Sequence, residues 1–333
     1  MTVGRTRSPS TPALREIQQP VAAKLDQVSA ELRRIVTSAD PLIEEVGEHL
    51  LQIRGKMLRP TLLLLGSESD GAPDTRAVPL AAVVELIHLA TLVHDDAVDH
   101  SVLRRGMPTV NSLFSHQVSV LMGDFLYARA LAALVEEEEF EALRILTAAS
   151  VEMSVGEIRQ LAAFDALRFS ENDYDTLIRA KTAALFSGAL EVGALCGADR
   201  HRHALASFGQ RLGMAFQIAD DLLDYTEDAS VTGKPMGLDL REHKVTLPLI
   251  HALRGVNAAE RRRVEALFAA AGPSDEQIAD VISIVAEHGG LEYARHRGEQ
   301  LAQEAEEALA PLPESPAKSA LLDIIAYVME RRS

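Results

Sequence analysis

From Val21 to about Arg54, charged and apolar residues alternate at helical spacing, broken only at Ser38-Ala39-Asp40-Pro41, which predicts one helix on each side. Pro60 stands near the start of the next helix, in the run RGKMLRPTLLLL. Residues 67–79, SESDGAPDTRAVP, are dense in turn formers and predict a loop. Leu80 to His100 then read as one long apolar helix, followed by a basic loop at 101–110. Further helices are expected over 111–136, 138–168, 171–197, 201–226, 245–253, 259–271, 275–289, 291–309 and 316–331, with breaks at Gly193/Gly197, Thr232-Gly233, Gly272-Pro273 and Pro311/Pro313. Glu136 to Glu139 fit a solvated helix end.

No shift of composition marks a domain boundary, and few long linkers remain. The expected organisation is a disordered tail over 1–20, rich in arginine and proline, and a single all-α domain over 21–333 built as one large helical bundle. Aromatic residues make up only 4% of the chain and tryptophan is absent, which favours helices packed through aliphatic side chains over sheets.

Lys plus Arg number 33 against 49 Asp plus Glu, a net charge of −16, and a chain of that sign repels the nucleic-acid backbone. The single cysteine, Cys196, excludes an intrachain disulfide and a multi-cysteine zinc site, and fits a small buried residue in a reducing compartment. The N-terminus has no signal-peptide pattern and no stretch of about 18 uncharged apolar residues occurs, so a cytoplasmic protein without a transmembrane segment is expected.

One pattern occurs twice: Asp95-Asp96-Ala97-Val98-Asp99 and Asp220-Asp221-Leu222-Leu223-Asp224. Residues i and i+4 lie on one helical face, so each copy forms a three-carboxylate claw. Each follows an apolar run, LAAVVELIHLATLVH and LGMAFQIA, and carboxylates beside buried surface need paired cations or metals to stay ionised. Hard oxygen ligands in that number suit Mg²⁺, whose shell substrate phosphates complete. Cations gather near both claws: Arg54, Lys56 and Arg59 in one segment, Arg104 and Arg105 after the first claw, Lys181 before Thr182, and Lys234 and Lys244 after the second.

With these claws, GKMLRP (55–60), ELIHLATLVHDDAVD (85–99) with RRGMPT (104–109), KTAALF (181–186), FQIADDLLD (216–224) and GKPMGLDLREHKVTLPLI (233–250), the chain resembles the trans-isoprenyl diphosphate synthases, of medium- or long-chain type. The resemblance implies the isoprenoid synthase fold, with a central cavity between two aspartate-rich helices. It implies Mg²⁺, about three ions per active site, on Asp95, Asp96, Asp99, Asp220, Asp221 and Asp224. Arg104, Lys181 and Lys234 would contact an allylic diphosphate, farnesyl or geranylgeranyl; Lys56, Arg59, His88 and Arg105 would hold isopentenyl diphosphate. Gln217 and Thr182 would line the reacting centre, with Lys181 and the aspartates Asp95, Asp96, Asp99 and Asp220 catalytic, and Lys244 would close over the diphosphate.

The implied reaction is a head-to-tail (1′–4) condensation. The allylic C–O bond ionises, the isopentenyl double bond attacks the cation, and a proton leaves to the released diphosphate. The growing chain would pass Ala90 and Thr91, upstream of the first claw, whose small size leaves the path open to an all-trans medium- or long-chain product. The family further implies a homodimer with residues 111–136 in its interface, and transient membrane contact when the greasy product leaves. Many family members carry glycine where this chain has His243.

Rival readings fit less well. A terpene cyclase replaces the second claw with an Asn/Asp, Ser/Thr, Glu pattern, and a di-iron bundle needs a second Glu-x-x-His pair beside Glu85 to His88. Gly55-Lys56 and Gly233-Lys234 lack the upstream glycine of a P-loop. A short-chain geranylgeranyl synthase and a non-catalytic partner subunit of the same fold remain the alternatives.

Overall fold

The computed structural model describes residues 12–330 apart from Arg54, 72–73, 162–165 and 227–235, so Arg54 and Lys234 lie outside the described residues. The expected disordered tail is corrected for its second half. Leu14–Ile17 form a short helix (α1) and Gln19–Val21 a 3-10 turn, and Ile17 and Val21 are 2% and 1% exposed. Ile17 and Val21 anchor this segment in the core despite Pro20.

Helices α2 (Ala22–Val36) and α3 (Pro41–Gln52) are separated where expected. Asp40 caps α3 by accepting from the amides of Leu42 and Ile43 at 3.0 and 3.2 Å, with Pro41 in the first turn, where its missing N–H costs nothing. Helix α4 (Leu58–Glu68) and α5 (Ala77–Val98) invade the expected loop at 67–79 from both sides. The basic loop at 101–110 holds a hairpin, β1 (Leu103–Arg104) with β2 (Met107–Pro108), the only strands among the described residues. Its two-residue turn, Arg105-Gly106, has both φ values positive, at 52° and 76°, the backbone that matches the twist of a tight hairpin.

The remaining helices follow the expected order, with α12 as an unexpected addition: α6 (Val110–Leu113), α7 (His116–Glu136), α8 (Phe140–Leu161), α9 (Glu171–Ile178), α10 (Ala184–Leu195), α11 (Arg202–Thr226), α12 (Leu238–Arg241), α13 (Leu247–Ala252), α14 (Ala258–Ala269), α15 (Asp275–Glu287), α16 (Gly290–Ala308) and α17 (Pro316–Met329). Two expected helices divide. Ser115 starts α7 afresh by accepting from the Val118 amide, and the segment 171–197 is interrupted by a π-helical turn at Arg179–Ala183.

Helix α10 is apolar on nearly every side and packs against α4, α8 and α11. Gly193 permits its approach to α4, because a Cβ there would lie 2.3 Å from the Leu63 carbonyl oxygen. Helix α11 joins two apolar clusters: Leu205, Phe208 and Leu212 belong to one, and Met214, Ile218 and Tyr225 to the other. Two helices are long and apolar enough to cross a membrane by length and composition, which amends the expectation from sequence: α5, whose apolar window is 61% buried, and α7, at 39%. Core packing accounts for the apolarity of α5. Helix α7 instead turns Val120, Leu121 and Val135 outward, beside Phe140, Val151, Val155 and Ile158 of α8.

Candidate active site

Both aspartate motifs occupy the C-terminal ends of helices, the first the last turn of α5 and the second the last two turns of α11. A helix C-terminus carries partial negative charge, so carboxylates there oppose the backbone dipole as well as one another. Burial and neighbouring carboxylates leave their mark. Asp95 is pushed up to about 6, by burial first and by Glu157 and Asp99, against the opposing pull of Lys181 and Arg104. Asp239, in α12, is pushed up to about 7 by burial and then by Asp224. Only added positive charge relieves such a set, and hard oxygen donors suit a divalent cation. Among the described residues no three acidic, histidine or cysteine side chains are already gathered into a metal site, in contrast to the two three-carboxylate claws expected from sequence.

The six motif aspartates are not equivalent, which revises the picture of two three-carboxylate claws. The second aspartate of each motif is buried, Asp96 at 6% and Asp221 at 5% exposure. Asp96 accepts both of its bonds from Nε of Arg104, at 3.0 and 2.8 Å, tying α5 to the hairpin. Asp221 accepts from the Tyr174 hydroxyl at 2.6 Å and from Nε2 of Gln217 at 2.8 Å, and burial pushes its carboxyl upward. Asp224 accepts from the amides of Leu238 and Asp239 at 2.9 and 3.0 Å and so starts α12. Asp99 and Asp220 are exposed, and Asp95 is half-buried.

Thr182 and Lys181 sit on the π-helical turn. An extra residue there shifts the face that the following side chains present, a device frequent at functional sites. Thr182 Oγ1 donates to Gln217 Oε1 at 2.7 Å, which extends the chain of bonds through Gln217 to Asp221 and Tyr174. Gly213 lets the π turn lie on α11, since a Cβ there would fall 2.6 Å from Cα of Ala183. Lys181 pairs with Glu157 of α8 at 2.6 Å and reaches Gln160 at 3.5 Å.

Lys244 pairs with Glu242 at 2.6 Å. Burial lowers its pKa, but the bond to Glu242 and the charges of Glu242, Asp239 and Asp99 outweigh it, so the ammonium is held above its ordinary value. Its backbone holds an unexpected feature: His243, where the family often has glycine, adopts φ = 56°, and its Nε2 lies 3.0 Å from the Ala270 carbonyl oxygen.

A second cluster lies where α4, α5 and the hairpin meet. Arg59 is half-buried by side-chain surface, with its guanidinium 4.9 Å from the Phe186 ring centre and its Nε buried without a hydrogen-bond partner. Burial lowers Arg59 to about 10, partly offset by the carboxylate of Glu85. Glu85 is buried and its carboxyl is raised by burial, against Arg59 and Arg105. Burial and then these arginines hold His88 well below the usual imidazole range, so it is neutral. Lys56 is exposed, with Nζ 5.7 Å from the Tyr327 ring centre. An orphaned arginine donor in a pair of guanidinium groups facing one carboxylate fits an anionic ligand.

Of the residues expected from sequence, Asp95, Asp96, Asp99, Arg104, Lys181, Thr182, Gln217, Asp220, Asp221, Asp224 and Lys244 come together around the motif ends, and Arg59, His88 and Arg105 form the second cluster. Ala90 is buried and Thr91 half-buried on α5, where Thr91 Oγ1 donates to the His88 carbonyl at 2.8 Å. Sequence reasoning missed Tyr174, Glu157, Asp239 and Glu85. Only Glu85 and Asp239 carried a signal, as acids inside the matching segments.

An all-α fold that sets two aspartate motifs on helix ends, beside a cationic cluster and a hydroxyl–amide–carboxylate chain, defines a synthase acting on diphosphates. The chain belongs to the polyprenyl synthetase family, whose profile matches residues 40–285, and is a prenyltransferase. It is 37% identical over 318 residues to the octaprenyl diphosphate synthase of Haemophilus influenzae, covering 95% of this chain and 96% of that one. The crystal structure of a decaprenyl diphosphate synthase from Rhodobacter capsulatus superposes with a TM-score of 0.90 at 39% identity, covering 96% and 99% of the two chains. A polyprenyl synthase from Caulobacter crescentus, complexed with calcium and isoprenyl diphosphate, gives 0.91 at 34% identity over 98% and 100%.

Proposed function

We propose that this prenyltransferase adds isopentenyl diphosphate, head to tail, to an allylic diphosphate of farnesyl or geranylgeranyl type, and releases a medium- or long-chain all-trans polyprenyl diphosphate and diphosphate. The observation that carries this reading is the pair of aspartate motifs on the C-terminal ends of α5 and α11, with Arg104 on Asp96, in a chain that the polyprenyl synthetase profile matches over residues 40–285.

Asp95, Asp99 and Asp220 would hold Mg²⁺, while Asp96, Asp221 and Asp224, each engaged by protein donors, would fix the direction of the others. Bound Mg²⁺ supplies charge stabilisation for the departing diphosphate. Arg104, Lys181 and Lys244 add fixed cations, with Lys181 released from Glu157 toward the phosphate oxygens. Lys234 would join them from outside the described residues. Arg59, Arg105, Lys56 and His88 bind the isopentenyl diphosphate, the orphaned Nε of Arg59 taking a phosphate oxygen. As the allylic C–O bond breaks, its electron pair leaves on the diphosphate. The isopentenyl double bond closes onto the cationic carbon, and the proton freed from the new chain passes to the leaving diphosphate. The dipoles of Thr182 Oγ1 and Gln217 lie beside that centre. Ala90 and Thr91 leave the path along α5 open to a growing chain.

The outward apolar residues of α7 and α8 support a homodimer through that face, since exposed apolar area of this kind marks interaction sites. A cytoplasmic location with brief membrane contact during product release completes the reading. The purified protein, given Mg²⁺, labelled isopentenyl diphosphate and farnesyl diphosphate, is expected to make products longer than geranylgeranyl by mass analysis. Failure to elongate any allylic primer would overturn the reading in favour of a partner subunit.

A further inference from the structure

The segment carrying Lys56 and Arg59 is built on a strained turn. Met57 has φ = 52°, a left-handed backbone that costs a non-glycine residue roughly 1 kcal/mol and persists only where neighbours hold it. Those neighbours are identifiable. The Thr61 amide and Oγ1 both donate to the Met57 carbonyl, at 3.0 and 2.7 Å. Gln18, from the N-terminal segment, spends both amide hydrogens on the same turn: its Nε2 donates to the Lys56 carbonyl at 3.0 Å and to Thr61 Oγ1 at 2.9 Å. Thr61 is fully buried and its own proton goes to Met57, so its oxygen accepts from Gln18, which fixes the amide's orientation. Gln18 itself cannot drift, because it lies between Ile17 and Val21, 2% and 1% exposed. From the opposite side Arg105 donates to the Ile53 carbonyl at 3.2 Å and lies against Gly55, where a Cβ would come within 2.8 Å of its guanidinium.

We infer that Gln18 is a positioning residue for isopentenyl diphosphate: it locks the left-handed turn at Met57 that aims Lys56 and Arg59 at one diphosphate, and so makes the N-terminal segment part of the substrate site. This rests on the assignment of Lys56 and Arg59 to that substrate. Among the described residues the Gln18 side chain bonds only to the turn that carries Lys56 and Arg59, so its removal acts on one substrate selectively.

The test is Gln18→Met, which keeps the length of the side chain and deletes both donors, measured in the full-length enzyme with each substrate varied in turn. The KM for isopentenyl diphosphate is expected to rise about tenfold, the loss of roughly one net hydrogen bond, with kcat and the KM for farnesyl diphosphate within about twofold. Adding Met57→Gly should recover most of the loss, because glycine holds the turn without a clamp. An unchanged KM overturns the inference. So does a uniform rise in both KM values with a fall in kcat and thermal stability, or failure to fold, each of which marks Gln18 as a general structural residue. Lys56→Ala and Arg59→Ala run in parallel separate the two claims: if they leave the isopentenyl KM unchanged, the site assignment is wrong, and if they raise it while Gln18→Met does not, only the role of Gln18 falls.

Discussion

The Tyr174 hydroxyl donates to Oδ2 of Asp221 at 2.6 Å, a buried bond between residues 47 positions apart. With Gln217 on the other oxygen, it holds the second aspartate of the second motif away from the exposed Asp220 beside it. Arg104 does the same for Asp96 in the first motif.

Tyr174→Phe therefore leaves a buried carboxylate one donor short. It should cost about 1–3 kcal/mol of stability at neutral pH and lower turnover about tenfold. Asp220→Ala, which removes a proposed ion ligand, should cost far more activity and little stability. Urea unfolding and steady-state rates across a Mg²⁺ titration separate the two; equal losses of activity would mean that Asp221 is itself a ligand.

How the site was legible from sequence, and where it was not, follows from the range of each interaction. The apolar run before Asp95 shows α5, and i, i+4 spacing places Asp95 and Asp99 on one face, because both are local facts. Tyr174 meeting Asp221, or Glu157 meeting Lys181, depends on how α9, α8 and α11 pack, and no spacing encodes that. The π turn at Arg179–Ala183 is hidden because its residues favour any helix. The N-terminal helix was within reach: Leu14, Ile17 and Val21 have helical spacing, but the neighbouring prolines outweighed it. The hairpin was signalled only by Arg105-Gly106, one glycine in a run read for its charge.

Asp239 makes stability depend on pH with a definite sign. Its carboxyl is raised from 3.8 to about 7, so its charge opposes folding. The penalty is absent below the unfolded value, sets in as pH rises from about 4 and is complete above about 7, at no more than about 1.4 kcal/mol per pH unit. Asp239→Asn should match the wild type near pH 4 and become progressively more stable than it toward pH 7.5, by denaturation in EDTA. Mg²⁺ with diphosphate should narrow the gap, since bound cations relieve the same repulsion. A difference independent of pH would show that Asp239 is not the strained group.

Product length tests the path along α5. Ala90 is 1% exposed on the buried side of the helix and precedes the first motif by little more than one turn. Ala90→Phe places a ring where a growing chain would pass, and the products should stop at shorter length with primer turnover retained, by mass analysis. Thr91→Phe should act likewise from the adjacent, half-buried position. If both variants make products of wild-type length, the chain leaves by another route.

His243 gives the last prediction, because its backbone and its side chain pull in opposite directions. At φ = 56° an L-residue is strained by roughly 1–2 kcal/mol relative to glycine. The imidazole returns part of that through the 3.0 Å contact with the Ala270 carbonyl and its place 5.8 Å from the Phe268 ring, interactions worth about 1 kcal/mol. His243→Gly should therefore lie within about 1 kcal/mol of the wild type. His243→Val keeps the strain, stiffens it with a β-branched side chain and discards the hydrogen bond, and should lose roughly 2 kcal/mol or more. Because Lys244 follows directly, the valine variant should also weaken binding of the allylic diphosphate while the glycine variant retains it. Equal stability of the two variants would show that the turn tolerates any residue, and that the departure from glycine at this position has no energetic meaning.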